Sequence, residues 1–369
     1  MRALARAGWE VLGADDRRLP WGLQSRYAVG DYHELPPEEN PALSGALLEL
    51  LDRLRPDVLI PTRGAECASL HQAAVQQRTH ALLPDPAAFA LMNNKSALLG
   101  LCGELGVPAP RVLNADEAIK QLRANNVQRV VVKPCRDVGG GEGVHIVTDA
   151  TRVAEIEAQV MGAYGDALIT EYVPGQTSDL RAVHLLFDAH SRLVAHFVVQ
   201  KLRLWPRRVG VTVCGISTHE PWLARQLLPI FHALKWRGPA DAELKIDARD
   251  GQAKLLEINP RFSGVLHFPI ECGVNFPLLY CRAALGERLD EDLHPHYPAG
   301  AHYLAAARWL TSVGAELCSP GEAGRRVLGD ALMRELRAPR VCSVHEATDP
   351  APILGRALLA LQTKFRPRS

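Results

Sequence analysis

Leu255-Leu256-Glu257-Ile258-Asn259-Pro260-Arg261 and the stretch that precedes it, Glu243-Leu244-Lys245-Ile246-Asp247, decide how the chain is read. Each alternates charged or polar residues with apolar ones at a period of two, the signature of a half-buried strand. Arg249-Asp250-Gly251 between them suits a three-residue hairpin loop with glycine in the left-handed position. Such a loop pairs 248 with 252, and counting back from it pairs Glu243 with Glu257, with Asn259 on the same face. Two carboxylates opposed across a ladder repel each other. A divalent cation removes the conflict, and an oxygen-only donor set favours Mg²⁺ or Ca²⁺ over zinc. Relief by lysines and water on a solvated strand face is the alternative.

Working outward, Val130-Val131-Val132-Lys133 reads as a buried strand closed by a lysine. A buried ammonium needs an anion or water. The glycine-rich run Gly139-Gly140-Gly141-Glu142-Gly143-Val144 follows, where backbone N–H groups can approach a phosphate unobstructed. No Gly-Lys-Ser/Thr accompanies it, so it is no Walker loop, and a plain β-turn has the same composition. Leu168-Ile169-Thr170-Glu171-Tyr172-Val173 is a strand running into a turn. It presents either backbone edges suited to a purine or a surface glutamate, and Asp179 follows at ribose-binding distance in sequence. Lys95–Leu105 reads as a helix stopped by Gly106 and Pro108.

In this order the segments resemble the ATP-grasp superfamily of ligases, over roughly residues 1–290. Glu257-Ile258-Asn259-Pro260-Arg261 is similar to that family's magnesium-binding segment, and the separation of Glu243 from Glu257 resembles carbamoyl phosphate synthetase-like members. The resemblance implies Glu243, Glu257 and Asn259 as ligands of Mg²⁺ (or Mn²⁺), and Arg261 as the catalytic cation on the transferring group. It further implies that Lys95, Lys133, residues 139–144 (Gly139, Gly140, Gly141, Glu142, Gly143 and Val144), Glu171, Tyr172, Val173 and Asp179 bind ATP. The implied activity is ligation of a small carboxylate to an amine through an acyl phosphate; an ATP-binding regulator without turnover is the rival class. Arginine outnumbers lysine 34 to 8, which makes two lysines at nucleotide positions a poor coincidence.

The expected fold class is α/β joined to α+β. An ATP-grasp domain over 91–290 follows a Rossmann-like parallel-sheet domain over 1–90 that lacks its first strand, and a small helical extension occupies 291–369. In the first part, helices are expected at 1–7, 43–54 and 65–77, and strands at 10–14, 57–61 and 81–84. The cationic stretch Lys201–Gly210, with Arg203, Arg207 and Arg208, reads as a loop. It either caps the active site, meeting the γ-phosphate or an acidic substrate, or lies in solvent. His294 and His296 flank a proline and read as a surface turn; Cys135 reads as packing.

Length and charge set the outer limits. The 369 residues carry 42 basic against 41 acidic side chains, so no general field attracts nucleic acid or an anionic membrane. No apolar run reaches the ~20 residues that span a bilayer, and the first residues do not read as a signal peptide. Eight scattered cysteines without a Cys-x-x-Cys pair fit a reducing compartment. A cytoplasmic protein is expected, with small-molecule carboxylate and amine partners. A homodimer could form through a helix face left bare by the missing strand.

Overall fold

Two sheets, each covered by its own helices, face each other across a deep cleft. The computed structural model describes residues 1–16, 25–38, 40–62, 65–124, 128–136, 138, 140–207, 209–290, 296–317 and 340–342. Near the N-terminus β1 (Ala14–Asp15) and β2 (His33–Glu34) form a short parallel pair. A four-stranded antiparallel sheet contains β3 (Val112–Leu113), β4 (Val130–Lys133), β5 (His145–Val147) and β6 (Leu168–Glu171), in the order β3-β6-β4-β5. The larger sheet has seven strands: β7 (Leu180–Phe187), β8 (Leu193–Trp205), β9 (Val211–Thr218), β10 (Gly238–Ile246), β11 (Ala253–Asn259), β12 (His302–Leu304) and β13 (Arg340–Cys342). Their spatial order is β11-β10-β7-β8-β9-β12-β13, all antiparallel except the parallel last pair.

Apolar patterning explains the layering. In β7, Val183, Leu185 and Phe187 pack into one core with the helices Pro86–Met92, Lys95–Leu105 and Pro221–Ala233. Ala182 and Leu186, pointing the other way, join Phe268, Phe276 and Tyr280 in a second core. Because both faces are covered, the strand carries apolar residues on both, interrupted by Arg181 and His184. The small sheet packs one face on the helices Ala115–Arg123 and Val153–Tyr164, leaving the other for the cleft.

The first part of the chain departs from expectation. Helix Leu43–Leu54 has the expected bounds, but 65–77 is broken into Ala65–Leu70 and Gln72–Gln76. The strands expected at 57–61 and 81–84 reduce to one parallel bridge, Val58 to His80. These segments are held instead by Tyr280, whose hydroxyl donates to the Leu59 carbonyl at 3.0 Å and accepts from Leu82 N–H at 2.9 Å. Tyr280→Phe strands both backbone groups. It should lower stability by about 2 kcal/mol, read as an earlier midpoint in urea; an unchanged midpoint would show the tie to be idle.

Two further differences matter. Lys201–Trp205, expected as loop, completes β8, because its alternating Lys-Leu-Arg-Leu-Trp pattern goes on pairing with β9 as far as Trp205 to Val211. The strand then ends in a turn closed by Gly210 N–H to the Pro206 carbonyl; Arg208 lies outside the described residues. After residue 290, the helix Ala306–Leu317 is accompanied by β12 and β13, which belong to the large sheet. Cys67, Cys102, Cys135, Cys214, Cys272 and Cys281 form no disulfide. No helix among the described residues is long and apolar enough to cross a membrane.

Candidate active site

The hairpin β10–β11 forms the floor of the cleft. Asp241 pairs with Asn259 and Glu243 with Glu257. The register arises differently from the simple count. The loop closes on Asp247 and Gln252, with Gly251 N–H donating to the Asp247 carbonyl at 2.8 Å and Gly251 at φ +74°. Pairing then runs Ile246–Ala253, Lys245–Lys254, Leu244–Leu255, one step out of phase with the 243–257 pair. A bulge at Leu256 restores the phase. Leu256 and Glu257 consequently both face the cleft, while Leu255 and Ile258 stay in the core.

Three lysines converge on this floor. Lys95 opens its helix, where Asn94 caps by accepting Ala97 N–H at 3.1 Å. Its ammonium lies 3.3 Å from Glu257 Oε2. Lys133 ends β4 and donates to the Leu256 carbonyl at 3.2 Å, so the bulge supplies its acceptor. Lys201 reaches Glu243 Oε1 at 2.6 Å. Burial pushes the Lys133 ammonium down to about 8, opposed by Glu257 and reinforced by Lys95. Burial also raises the Glu243 carboxyl; Lys201 pulls it down, while Glu257 and Asp241 push it further up. For Asp241 burial acts upward, but His184, with Nδ1 2.8 Å away, together with Lys201 and Ser263, holds it below the usual carboxylate range.

The cleft has a volume of about 1110 Å³ and is lined by ten basic side chains against five acidic ones. In a chain of net charge +1 this is a concentrated demand for anions. All four lysines that are buried among the described residues, Lys95, Lys133, Lys201 and Lys245, line it. Arg261 lines it as well, with Nη1 3.3 Å from the Phe262 carbonyl, and so do Arg203 and Arg207. The cationic stretch therefore faces the cleft.

The glycine-rich run crosses the open side. Gly140, Gly141, Glu142 and Val144 line the cleft; Gly139 lies outside the described residues. Gly141 has φ +76°, and a Cβ there would fall 1.7 Å from the Val209 carbonyl oxygen, so this backbone touches the 206–210 turn. Gly143 is wedged against Tyr164 and Pro134, and Glu142 accepts a hydrogen bond from the Tyr164 hydroxyl at 3.4 Å.

At the far end Glu171, Tyr172 and Val173 line the cleft, but the Glu171 carboxylate is already engaged. It accepts from Arg249 at 3.0 Å, Lys254 at 3.3 Å and Arg111 N–H at 3.2 Å. Burial acts upward on it, but these donors hold it below the usual range. Asp247, held low chiefly by Arg249 and also by Lys254, completes the network. The Lys245 ammonium stands 4.8 Å from the Tyr172 ring centre. Asp179 does not line the cleft: its carboxylate accepts Gln176 N–H at 2.6 Å and caps a short turn.

Of the residues set aside in the sequence, Cys135 packs with Leu99 and Leu168, and burial pushes its thiol up, which suits packing and not nucleophilic attack. His296 is exposed away from the cleft, and His294 lies outside the described residues. Asp241, His184, Lys201, Lys245 and Ser263 were not singled out individually. The only available signal for the lysines was their rarity; Asp241 and His184 sit in no motif.

The residues present fit a hard dication. Among the described residues no ready cage of three or more His, Cys, Asp or Glu exists. Two carboxylates and an amide oxygen on one face of the β10–β11 hairpin nevertheless match the way Mg²⁺ is held when phosphates complete its shell. The Glu243 carboxyl, raised first by burial and further by two neighbouring acids, supplies the electrostatic reason for a cation.

A four-stranded sheet closing over a larger antiparallel sheet, with acids on the floor and lysines on both walls, is the ATP-grasp fold. Residues 221–307 match the family described as "ATP-grasp in the biosynthetic pathway with Ter operon", a span that contains the whole hairpin and Arg261. No curated protein matches the chain in sequence. Solved structures resemble it in fold. The biotin carboxylase domain of 2-oxoglutarate carboxylase from Hydrogenobacter thermophilus, in complex with MgADP, ADP and bicarbonate, superposes with a TM-score of 0.60 at 16% identity, over 78% of this chain and 67% of that one. Biotin carboxylase from Campylobacter jejuni in its β,γ-ATP complex gives 0.62 at 17%, over 78% and 68%. N5-carboxyaminoimidazole synthetase from Staphylococcus aureus, complexed with ADP, gives 0.58 at 13%, over 79% and 74%.

Proposed function

We propose that the chain is an ATP- and Mg²⁺-dependent ligase that activates a small carboxylate as an acyl phosphate for capture by an amine. The observation that carries this reading is the Glu243–Glu257 pair, with Asn259 beside it, facing the buried ammonium groups of Lys95 and Lys133 in one cleft. Complexes of similar folds with MgADP and a β,γ-ATP ligand support it.

Lys95 and Lys133 would hold the α- and β-phosphates, the 140–144 backbone would cover them, and the backbone of Tyr172 and Val173 would meet the base. Glu243, Glu257 and Asn259 would hold Mg²⁺, which would supply Lewis-acid withdrawal of charge from the γ-phosphorus. A substrate carboxylate oxygen bonds to that phosphorus as its bond to ADP breaks, and Arg261 compensates the charge on the transferring group. The amine nitrogen then bonds to the acyl carbon, inorganic phosphate leaves, and the nitrogen gives up a proton. The protein contributes positioning and charge, with no covalent intermediate of its own.

ADP release measured against a panel of carboxylic acids, each with and without amines, tests the reading. Turnover that requires both partners supports ligation. Tight MgATP binding without ADP release under every combination would make the chain an ATP-binding regulator. Release with an acid alone, leaving a stable phosphorylated product, would make it a kinase.

Lys133 gives the site a pH signature. Its ammonium is lost near pH 8 in the free protein, and a phosphate needs it charged. Binding therefore takes up a proton, and ATP affinity should fall by about tenfold per unit as pH rises above 8. With its proton affinity lowered from the ordinary 10.5, the folded form binds fewer protons than the unfolded one between the two values, so stability rises with pH there. Lys133→Arg should flatten the affinity profile; an equally steep profile in that variant assigns the titration elsewhere.

A further inference from the structure

Of the five carboxylates that line the cleft, four have a place in the account above: Glu243 and Glu257 at the proposed dication, Glu171 between Arg249 and Lys254, and Glu142 beside Tyr164. Asp241 has none. It is 6% exposed and is the next residue after Glu243 on that face of β10, opposite Asn259 and on the side away from Lys245 and Tyr172. Neighbours on one face of a strand stand about 7 Å apart. A nucleotide whose base lies at Tyr172 and whose phosphates reach the 243–257 pair therefore ends on the Asp241 side, and the acyl group is made there.

Asp241 is already engaged. Behind it His184, its ladder partner on β7, brings Nδ1 to 2.8 Å from Oδ1. Lys201 stands near enough to compensate its charge, and the Ser263 hydroxyl hydrogen-bonds to it as well. An ionised carboxylate only accepts, so His184 Nδ1–H and Ser263 Oγ–H must both donate. The neutral Nδ1–H imidazole is also the form that leaves no unpaired N–H at Nε2, which is buried without a partner.

The consequence falls on Ser263, which lines the cleft two residues past Arg261. A hydroxyl has one proton, and this one goes to Asp241, so toward the cleft Ser263 can only accept. One of its two lone pairs meets Val265 N–H at 3.4 Å, and the other is uncommitted among the described residues. A carboxylate or phosphate oxygen brings no hydrogen and is repelled by such a group. Of the reactants in the proposed ligation, only the amine brings an N–H. The ten cations of the cleft provide for the anions, and Ser263 provides for the nucleophile.

We infer that Ser263 Oγ marks the amine subsite: it accepts an N–H of the nucleophile and so turns the nitrogen lone pair toward the acyl phosphate beside Arg261. Asp241 and His184 are positioning residues that keep the serine an acceptor. This rests on the ligase reading above and adds to it where the second substrate binds and what that substrate must offer.

The fate of the acyl group tests it. Acetate, succinate, citrate and the common amino acids are screened with wild type and MgATP for ADP release in the presence of ammonium chloride, methylamine or hydroxylamine, and the fastest pair is carried forward. In Ser263→Ala the KM for the amine should rise about tenfold, the worth of one hydrogen bond, while those for ATP and the acid stay within about twofold. Amide formed per ADP released should fall severalfold, because water takes the acyl groups that the amine misses. Ser263→Thr keeps the hydroxyl and should restore both values. Equal rises in all three constants, or an unchanged ratio of amide to ADP, overturn the assignment. Asp241→Asn added to Ser263→Ala should raise the amine KM by no more than about twofold further, since its influence runs through a hydroxyl already gone. A further rise of about tenfold would overturn the positioning role. No ADP release from wild type with any pair is a different result, and removes the ligase reading itself.

Discussion

Glu257→Gln is expected to lose ATP turnover by about three orders of magnitude, equivalent to about 4 kcal/mol of missing charge stabilisation in the transition state. The substitution keeps shape and one oxygen but removes the charge that faces both Lys95 and the proposed dication. It removes the anionic partner of the buried Lys95 but leaves an amide oxygen as acceptor, and it relieves the repulsion with Glu243 across the ladder. These effects oppose each other, so the variant should melt close to wild type. That pairing of lost turnover with retained stability is what separates a ligand from a strut. A steady-state ADP-release assay beside a thermal melt decides it, and near-normal turnover would exclude Glu257 as a metal ligand.

Gly141→Ala should have the second-largest effect, through geometry alone. One added carbon falls 1.7 Å from a backbone oxygen of Val209, and the residue's φ of +76° disfavours any side chain. Neither atom is the end of a flexible side chain, so the glycine-rich run must lift away from the 206–210 turn. Lifting it opens the phosphate site to water and shifts the cover by an ångström or more. A loss of about 100-fold in kcat/KM for ATP is expected, with fold and melting temperature intact because the contact lies outside the described cores. Kinetics within twofold of wild type would mean that these two segments need not touch during turnover.

The parts of the molecule legible in the sequence are those where local chemistry and final packing agree. Lys95–Leu105 has its cap, its apolar stripe and its Gly106 stop within the same eleven residues and their neighbours, and its bounds are as expected. Glu243 pairs with Glu257 as the sequence indicates, though by compensation: the loop is one residue longer than a three-residue turn, and the bulge absorbs the difference. Nothing in Leu255-Leu256 marks a bulge, since either leucine suits the core. The strands expected at 57–61 and 81–84 failed for the opposite reason. Their apolar runs are real, but Tyr280, about 200 residues distant, takes the backbone groups that a ladder would have used. Asp241, His184 and Lys201 were invisible because each depends on a partner two strands or fifty residues away.

The extra residue at Leu256 also governs how this hairpin can diverge. Because successive side chains in a strand face opposite ways, the extra residue is what lets Leu256 and Glu257 both face the cleft. Removing Leu256 alone would leave Leu244 opposite Leu255 and Glu243 opposite Glu257 in a regular ladder, but would take away the carbonyl that receives Lys133. A deletion between residues 255 and 257 therefore spares the paired acids and orphans the lysine.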